Sequence, residues 1–139
     1  MILVDTNVIS EPLRREPSAA VIEWLDAQSV ETLFLAAISL AEMRFGVAAL
    51  PEGRRRDWLD QSIEQRVVPL FRGRILPFDD AASKSYASLR ARARAAGNAI
   101  ASADAWIAAT AHANGLMVAT RDVTPFKAAG LRVIDPWAR

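Results

Sequence analysis

The chain has 139 residues, a formal net charge of +1 and no cysteine. That length predicts one domain spanning residues 1–139 with a core of its own, since a chain near this size buries roughly 68–70% of its unfolded surface. Thiol catalysis and thiolate metal sites are excluded, and the near-balance of charge excludes a polycation, leaving nucleic-acid binding to local patches.

No basic stretch precedes a signal-like apolar run at the N-terminus, and no apolar run approaches the roughly 18 residues of a membrane span, so the chain is expected to be cytoplasmic. Of its 17 basic residues only Lys84 and Lys127 are lysines. Arginine is the better bidentate partner for phosphate. A GC-rich genome would produce the same excess, so arginine content alone decides nothing.

Ile2 to Val4 is a short apolar run without helical period, suited to a strand buried on both faces. Between Pro17 and Gln28, Val21, Ile22 and Leu25 mark a helical face with Trp24 beside it. "LFLA" (Leu33 to Ala36) reads as the second strand. In "ISLAEMRFGVAAL" the spacing of Ile38, Ala41, Phe45 and Ala49 predicts a buried helical face. "LPEGRRR" reads as a loop into another helix through about Val67, and "RILP" (Arg74 to Pro77) as the third strand. Ala82, Tyr86, Leu89 and Ala93 predict a helix that Gly97 could stop. "SADAWIAATA" continues as a helix, and "LMVAT" (Leu116 to Thr120) and "LRVID" (Leu131 to Asp135) supply two further strands. Alternating strands and helices predict an α/β domain with a mainly parallel sheet. In such a sheet ligands bind beyond the carboxyl ends of the strands, near a topological switch point.

Four acids stand at such places. Asp5 follows the first strand, although Asp also serves as an N-cap or Asx-turn residue for a short helix from Asn7. Glu42 falls on the predicted buried face of its helix, where a carboxylate is costly unless paired or bound to a cation. Ser39 to Glu42 equally matches a capping box, and both readings place Glu42 in the first helical turn. Asp104 shares a face with Ile107, Ala108 and Ala111, with Ser102 as a candidate N-cap, and a first-turn Asp gains about 0.3–1 kcal/mol from the helix dipole. Asp122 lies just past the fourth strand, where a turn residue would also suit. Each structural reading suffices for one acid, but together they leave the shared placement unexplained. Were these acids to meet within about 4 Å, each like-charge pair would cost about 4 kcal/mol at an effective dielectric near 20. Protonation or a cation must then relieve them.

The chain has one histidine, His112, about two helical turns beyond Asp104, which reads as a helix-surface residue. Ser–His–Asp catalysis is therefore unsupported. Oxygen ligands remain, and they suit Mg²⁺ or Mn²⁺ rather than zinc or copper. Neither a P-loop nor a GxGxxG motif occurs.

At these residues the chain resembles the PIN-domain ribonucleases, in particular the VapC-type toxins of type II toxin–antitoxin modules and their FitB-like branch. "LVDTNVIS" is similar to the family's opening motif, "ISLAEMRFG" to its glutamate helix, "ASADAWIAATA" to its second aspartate helix, "VATRDVTPF" to its last acidic loop and "GLRVIDPW" to its ending. The likeness runs from Met1 to Trp137. It implies a three-layer α/β fold with a five-stranded parallel sheet between helices, and a metal pocket of Asp5, Glu42, Asp104 and Asp122 supported by the hydroxyls of Thr6 and Thr120. One departure stands out: many of these toxins carry Asn at the position of Asp122 and an acid at that of Pro125.

These readings together imply an endoribonuclease dependent on Mg²⁺ or Mn²⁺, in which water activated by the ion hydrolyses a phosphodiester. Single-stranded or looped RNA is the expected substrate, because splayed bases can enter a pocket that a duplex cannot. Arg90, Arg92, Arg94 and Arg121 are candidate phosphate contacts, or otherwise a solvated surface. The resemblance also implies a homodimer and a cognate VapB- or FitA-like antitoxin whose C-terminal segment wraps the toxin and places an arginine among the acids. Two other readings stay open: a PIN-like module that binds RNA or antitoxin without turnover, and a phosphatase with an aspartyl nucleophile. Against the latter, "DTN" lacks the second Asp two residues on that would act as acid and base.

Overall fold

The computed structural model describes residues 1–138. Five strands, β1 (Ile2–Val4), β2 (Leu33–Ala36), β3 (Ile75–Leu76), β4 (Met117–Ala119) and β5 (Val133–Ile134), form one sheet in the order β3-β2-β1-β4-β5. Every pairing is parallel. Each expected strand is present; β1 and β2 have the expected bounds, and β3, β4 and β5 are trimmed at their ends.

Alternation along the strands builds the layers, because successive side chains in a strand point to opposite faces. Ile2 and Val4 enter one core with Leu33, Leu35 and Ala119, while Leu3 enters the other with Ala36 and Val118. Against the first face pack α1 (Thr6–Ser10), α2 (Ala19–Asp26), α3 (Ala37–Ala48) and the segment formed by α4 (Arg54–Ser62), a π turn at Ile63–Val67 and α5 (Val68–Leu70). The second face carries α6 (Asp80–Ala95), α7 (Ser102–Ala113) and α8 (Val123–Ala128). With helices on both faces the strands are apolar throughout, and Leu3, Val4, Leu35 and Val118 are fully buried.

Gly97 does stop α6. It takes a left-handed φ of +74°, its amide donates to the Arg94 carbonyl at 3.1 Å, and the Asn98 amide donates to the Ala93 carbonyl at 2.8 Å. These paired bonds are a Schellman motif, which satisfies carbonyls left open at a helix end. The turn aims the chain back toward the start of α7 and so places Asp104.

The predicted face of α3 is corrected. Leu40, Met43 and Val47 are buried, whereas Phe45 is 74% exposed. Two apolar stripes run along this helix, and periodicity alone does not choose between them; docking on the sheet does. Among the described residues no helix is long and apolar enough to cross a membrane.

Candidate active site

The chain builds the sheet outward from β1 through β2 to β3, then crosses back to add β4 and β5 on the other side of β1. The order reverses between β1 and β4, so the crevice beyond their carboxyl ends is the switch point of the sheet. Val4 pairs with Ala119 there.

Asp5 leaves β1 at this crevice. Its amide extends the ladder by donating to the Ala119 carbonyl at 2.9 Å, and the residue is 4% exposed. Its Oδ1 accepts from the Thr6 amide at 2.8 Å, and its Oδ2 accepts from the Thr120 hydroxyl at 2.7 Å. One oxygen caps α1 and the other is held from β4. Asp5 is therefore the N-cap of α1, which starts at Thr6 rather than Asn7, and the same carboxylate stands at the crevice.

Thr120 is fully buried. Its hydroxyl donates to Asp5, accepts from the Asp122 amide at 3.0 Å and faces the Asn7 side-chain amide at 3.5 Å. A hydroxyl has one donor and two acceptor positions, so this one is saturated.

Glu42 approaches from α3, where its Oε1 accepts from the Thr6 hydroxyl at 3.1 Å. The expected capping box is absent. Ala36 is the N-cap of α3, which places Ser39 inside the first turn and Glu42 in the second. The Ser39 hydroxyl is instead buried without a hydrogen-bond partner. Asp104 does stand in the first turn of α7, but Ala101 rather than Ser102 is the N-cap and no side chain caps the helix. Asp122 is the N-cap of α8, makes no side-chain capping bond, and has its Oδ2 3.5 Å from Asn7 Nδ2. Pro125 lies in the first turn of α8 and brings no ligand.

Asn7 is the residue that sequence reasoning missed. Its side chain faces Thr120 and Asp122, and its Oδ1 receives the Arg121 amide at 3.4 Å. In "DTN" an asparagine reads as turn chemistry. Its link to the acidic loop exists only once β1 and β4 are neighbours.

The acids sense one another. Burial is the main cause that pushes the Asp5 carboxyl from its ordinary 3.8 to about 6; hydrogen bonds from Thr120 and Thr6 oppose the rise, and the charges of Asp104 and Glu42 add to it. Burial also raises Asp104, with Asp122 as the contributing charge. Among the described residues the ion pairs are Arg14–Glu11, Arg44–Glu64 and Lys84–Asp80, none of which involves these four acids. None of the four acids is thus neutralised by a basic side chain among the described residues.

The other candidates lie apart from this crevice or at its rim. His112 is exposed on α7, its Nδ1 3.0 Å from the Ser85 hydroxyl. On α6, Arg90 donates to the Tyr86 hydroxyl at 2.6 Å and Arg92 to the Ser88 hydroxyl at 3.4 Å, while Arg94 is exposed. Arg121 precedes Asp122 and lies over the ring of Trp137, 5.2 Å from its centroid.

The family model for the PIN domain matches residues 2–131. The chain belongs to the PIN-domain family. This PIN domain is 57% identical over 137 residues to the plasmid stability protein StbB of Pseudomonas syringae pv. tomato, covering 99% of each chain. It is 56% identical to the VapC ribonuclease Y4jK of Sinorhizobium fredii, over 99% of this chain and 98% of the relative. It is 50% identical to the toxin FitB of Neisseria gonorrhoeae, over 99% of each. The crystal structure of FitAcB from Neisseria gonorrhoeae superposes with a TM-score of 0.96 at 50% identity, covering 100% of both chains. The expected PIN-like fold with its five-stranded parallel sheet is therefore the fold observed.

The donor set of this PIN domain fits a hard divalent cation. Every candidate ligand is a carboxylate oxygen, no basic side chain pairs with one, and Asp5 and Asp104 resist ionisation when left alone. Among the described residues no three Asp, Glu or His side chains close on a single point. Mg²⁺ keeps several waters and is commonly held by one or two carboxylates.

Proposed function

We propose that this chain is the toxin of a type II toxin–antitoxin module, a Mg²⁺- or Mn²⁺-dependent endoribonuclease that cleaves single-stranded or looped RNA in the cytoplasm. The observation that carries the reading is the buried Asp5 carboxylate, fixed by Thr120 and Thr6, raised to about 6 by burial and its acidic neighbours, and left without a basic partner at the switch point. Relatives covering nearly the whole chain are named a VapC ribonuclease and a toxin, which supports the same assignment.

Asp5 and Asp104 would hold the principal cation, with Glu42 and Asp122 completing its surroundings. When bound, such an ion stabilises charge on phosphoryl oxygens and lowers the pKa of water. The protein's share is orientation. Thr120 sets the direction of the Asp5 carboxylate, Thr6 sets that of Glu42, and Asn7 borders Asp122, so the cup is shaped before substrate arrives. Prepositioned ligands require little reorganisation on binding, which is how a fixed polar site gains its effect.

The partners follow as part of the proposal: a cognate antitoxin that covers the acidic cup, and a second copy of the chain. Phe45, 74% exposed on α3, is the kind of apolar side chain that such a copy would cover. The deciding experiment incubates the purified protein with a single-stranded oligoribonucleotide. Cleavage is expected with Mg²⁺ or Mn²⁺ and is expected to vanish with EDTA or in Asp5→Asn; equal cleavage under all these conditions would refute the site. Binding of RNA without any turnover would favour the module reading instead.

A further inference from the structure

Arg121 is set apart from Arg90 and Arg92 by its place in the fold. Arg90 also lies over a ring, that of Tyr86 at 5.5 Å, but it and Arg92 contact side chains one turn back on their own helix. Arg121 sits on the loop between Thr120 and Asp122, and its backbone amide points to Asn7 Oδ1 at 3.4 Å. Its guanidinium carbon lies 5.2 Å from the centre of the Trp137 ring. The indole is itself anchored: the Trp137 amide donates to Asp135 Oδ1 at 2.9 Å, Pro136 beside it is fully buried, and the ring packs against the first core.

Glu11 lies within reach of the Arg121 charge. It is a buried carboxylate, 3% exposed, that the acidic cup does not use. Burial would raise it, but the Ser18 amide at 2.9 Å, the Arg14 guanidinium at 3.2 Å and the nearby charge of Arg121 keep it below the ordinary carboxylate range. Trp137 offers a flat surface for the Arg121 guanidinium to lie on, and Glu11 adds a negative charge to its surroundings. Among the described residues Arg121 joins no ion pair. Arg121 is exposed, and among the described residues its guanidinium lies over Trp137 without a hydrogen-bond partner.

We propose that Arg121 binds a phosphate of the RNA next to the scissile one, and that Trp137 is the positioning residue that holds its guanidinium at the rim of the cup. The inference rests on the nuclease reading above. Stacking on one face leaves the edge of the guanidinium free for bidentate contact with phosphate, which a lysine on a flexible stem does not reproduce.

The test compares Arg121→Ala, Arg121→Lys, Trp137→Phe and Trp137→Ala with the wild type. It measures kcat and KM for a single-stranded oligoribonucleotide in Mg²⁺, and the salt dependence of binding of the same RNA, fluorescently labelled, in EDTA. Arg121→Ala is expected to raise KM about ten- to one-hundredfold with kcat nearly unchanged, the range a charge-assisted hydrogen bond supplies. Its plot of log affinity against log salt should be shallower by about 0.7, the loss of one phosphate contact on a single strand. Trp137→Phe should keep most of the effect, since a ring face remains, and Trp137→Ala should move toward Arg121→Ala. Unchanged KM and salt slope in Arg121→Ala, with only the melting temperature lowered, would make Arg121 a structural strut and overturn the proposal. If the wild type binds RNA with the expected slope difference but does not cleave it, the nuclease reading fails while the phosphate contact stands. A wild type that neither binds nor cleaves overturns both.

Discussion

Thr120 Oγ1 donates a 2.7 Å hydrogen bond to Asp5 Oδ2, joining the ends of neighbouring strands across a sequence separation of 115 residues. The bond is buried, and its donor also receives the Asp122 amide at 3.0 Å. Thr120→Val keeps the shape of the side chain but removes both functions. With a bond to a charged group contributing roughly 1.5–3 kcal/mol, activity in Mg²⁺ is expected to fall about ten- to one-hundredfold, while Thr120→Ser retains most of it. Thr6→Val should cost less, because the Thr6–Glu42 bond is exposed. Steady-state kinetics across a Mg²⁺ titration would check the ranking; equal losses in the two Val variants would contradict it.

Asp5 links stability to pH. Its folded value of about 6 lies above the ordinary 3.8, so between these pH values the folded state holds the proton more tightly than the unfolded chain does. Stability from this group is therefore present below about pH 4 and lost as pH rises through about 6, by roughly 3 kcal/mol in all. Denaturant unfolding in EDTA at pH 5 and pH 7 is expected to show this decline in the wild type and a smaller one in Asp5→Asn. Carboxylates with depressed values, such as Glu11, contribute the opposite slope at more acidic pH.

Cation binding should reverse that loss. A divalent ion favours ionised Asp5, so Mg²⁺ is expected to raise the melting temperature more at pH 7 than at pH 5, following the usual linkage of ligand binding to folding. Calorimetric scans with and without metal would measure it. No shift at either pH up to millimolar Mg²⁺ would argue against the cup as a cation site.

Asp104 is raised by burial and by Asp122. Asp104→Asn removes that repulsion, so the metal-free variant is expected to be at least as stable as the wild type while losing nuclease activity and the Mg²⁺-induced rise in melting temperature. Functional sites commonly carry this trade-off. A variant that unfolds more easily and yet still cleaves RNA would show that Asp104 serves the helix and not the cup.

The acidic cup also predicts how an antitoxin would silence it. A single inserted arginine is complementary to these carboxylates and would displace the cation. An antitoxin C-terminal peptide is accordingly expected to bind the Asp5→Asn, Asp104→Asn double variant more weakly than the wild type. Calorimetric titration would decide; equal affinity would remove the charge-plug mechanism.

Much of the fold could be read from local pattern. The strands Ile2–Val4 and Leu33–Ala36 stand where the apolar runs placed them, and Gly97 ends α6 as its position suggested. Local pattern failed where the sequence offered two local solutions. The Ser39–Glu42 capping box and the Ile38–Phe45 face were both consistent with the sequence, but α3 starts at Ala37 and turns Leu40, Met43 and Val47 inward. A helix start one or two residues away changes a cap's identity at little local cost, whereas burying the better-fitting stripe is settled by the sheet beneath it.

What the amino-acid order determined by itself was the alternation of strands with helices and the seating of Asp5, Asp104 and Asp122 at element ends, since hydrophobic period and turn chemistry act over a few residues. What only the tertiary structure decided was their company: that Thr120 would reach Asp5, that Asn7 would border Asp122, and that Arg121 would rest on Trp137. Those contacts depend on β4 crossing back to lie beside β1, and that pairing brings together residues separated by most of the chain.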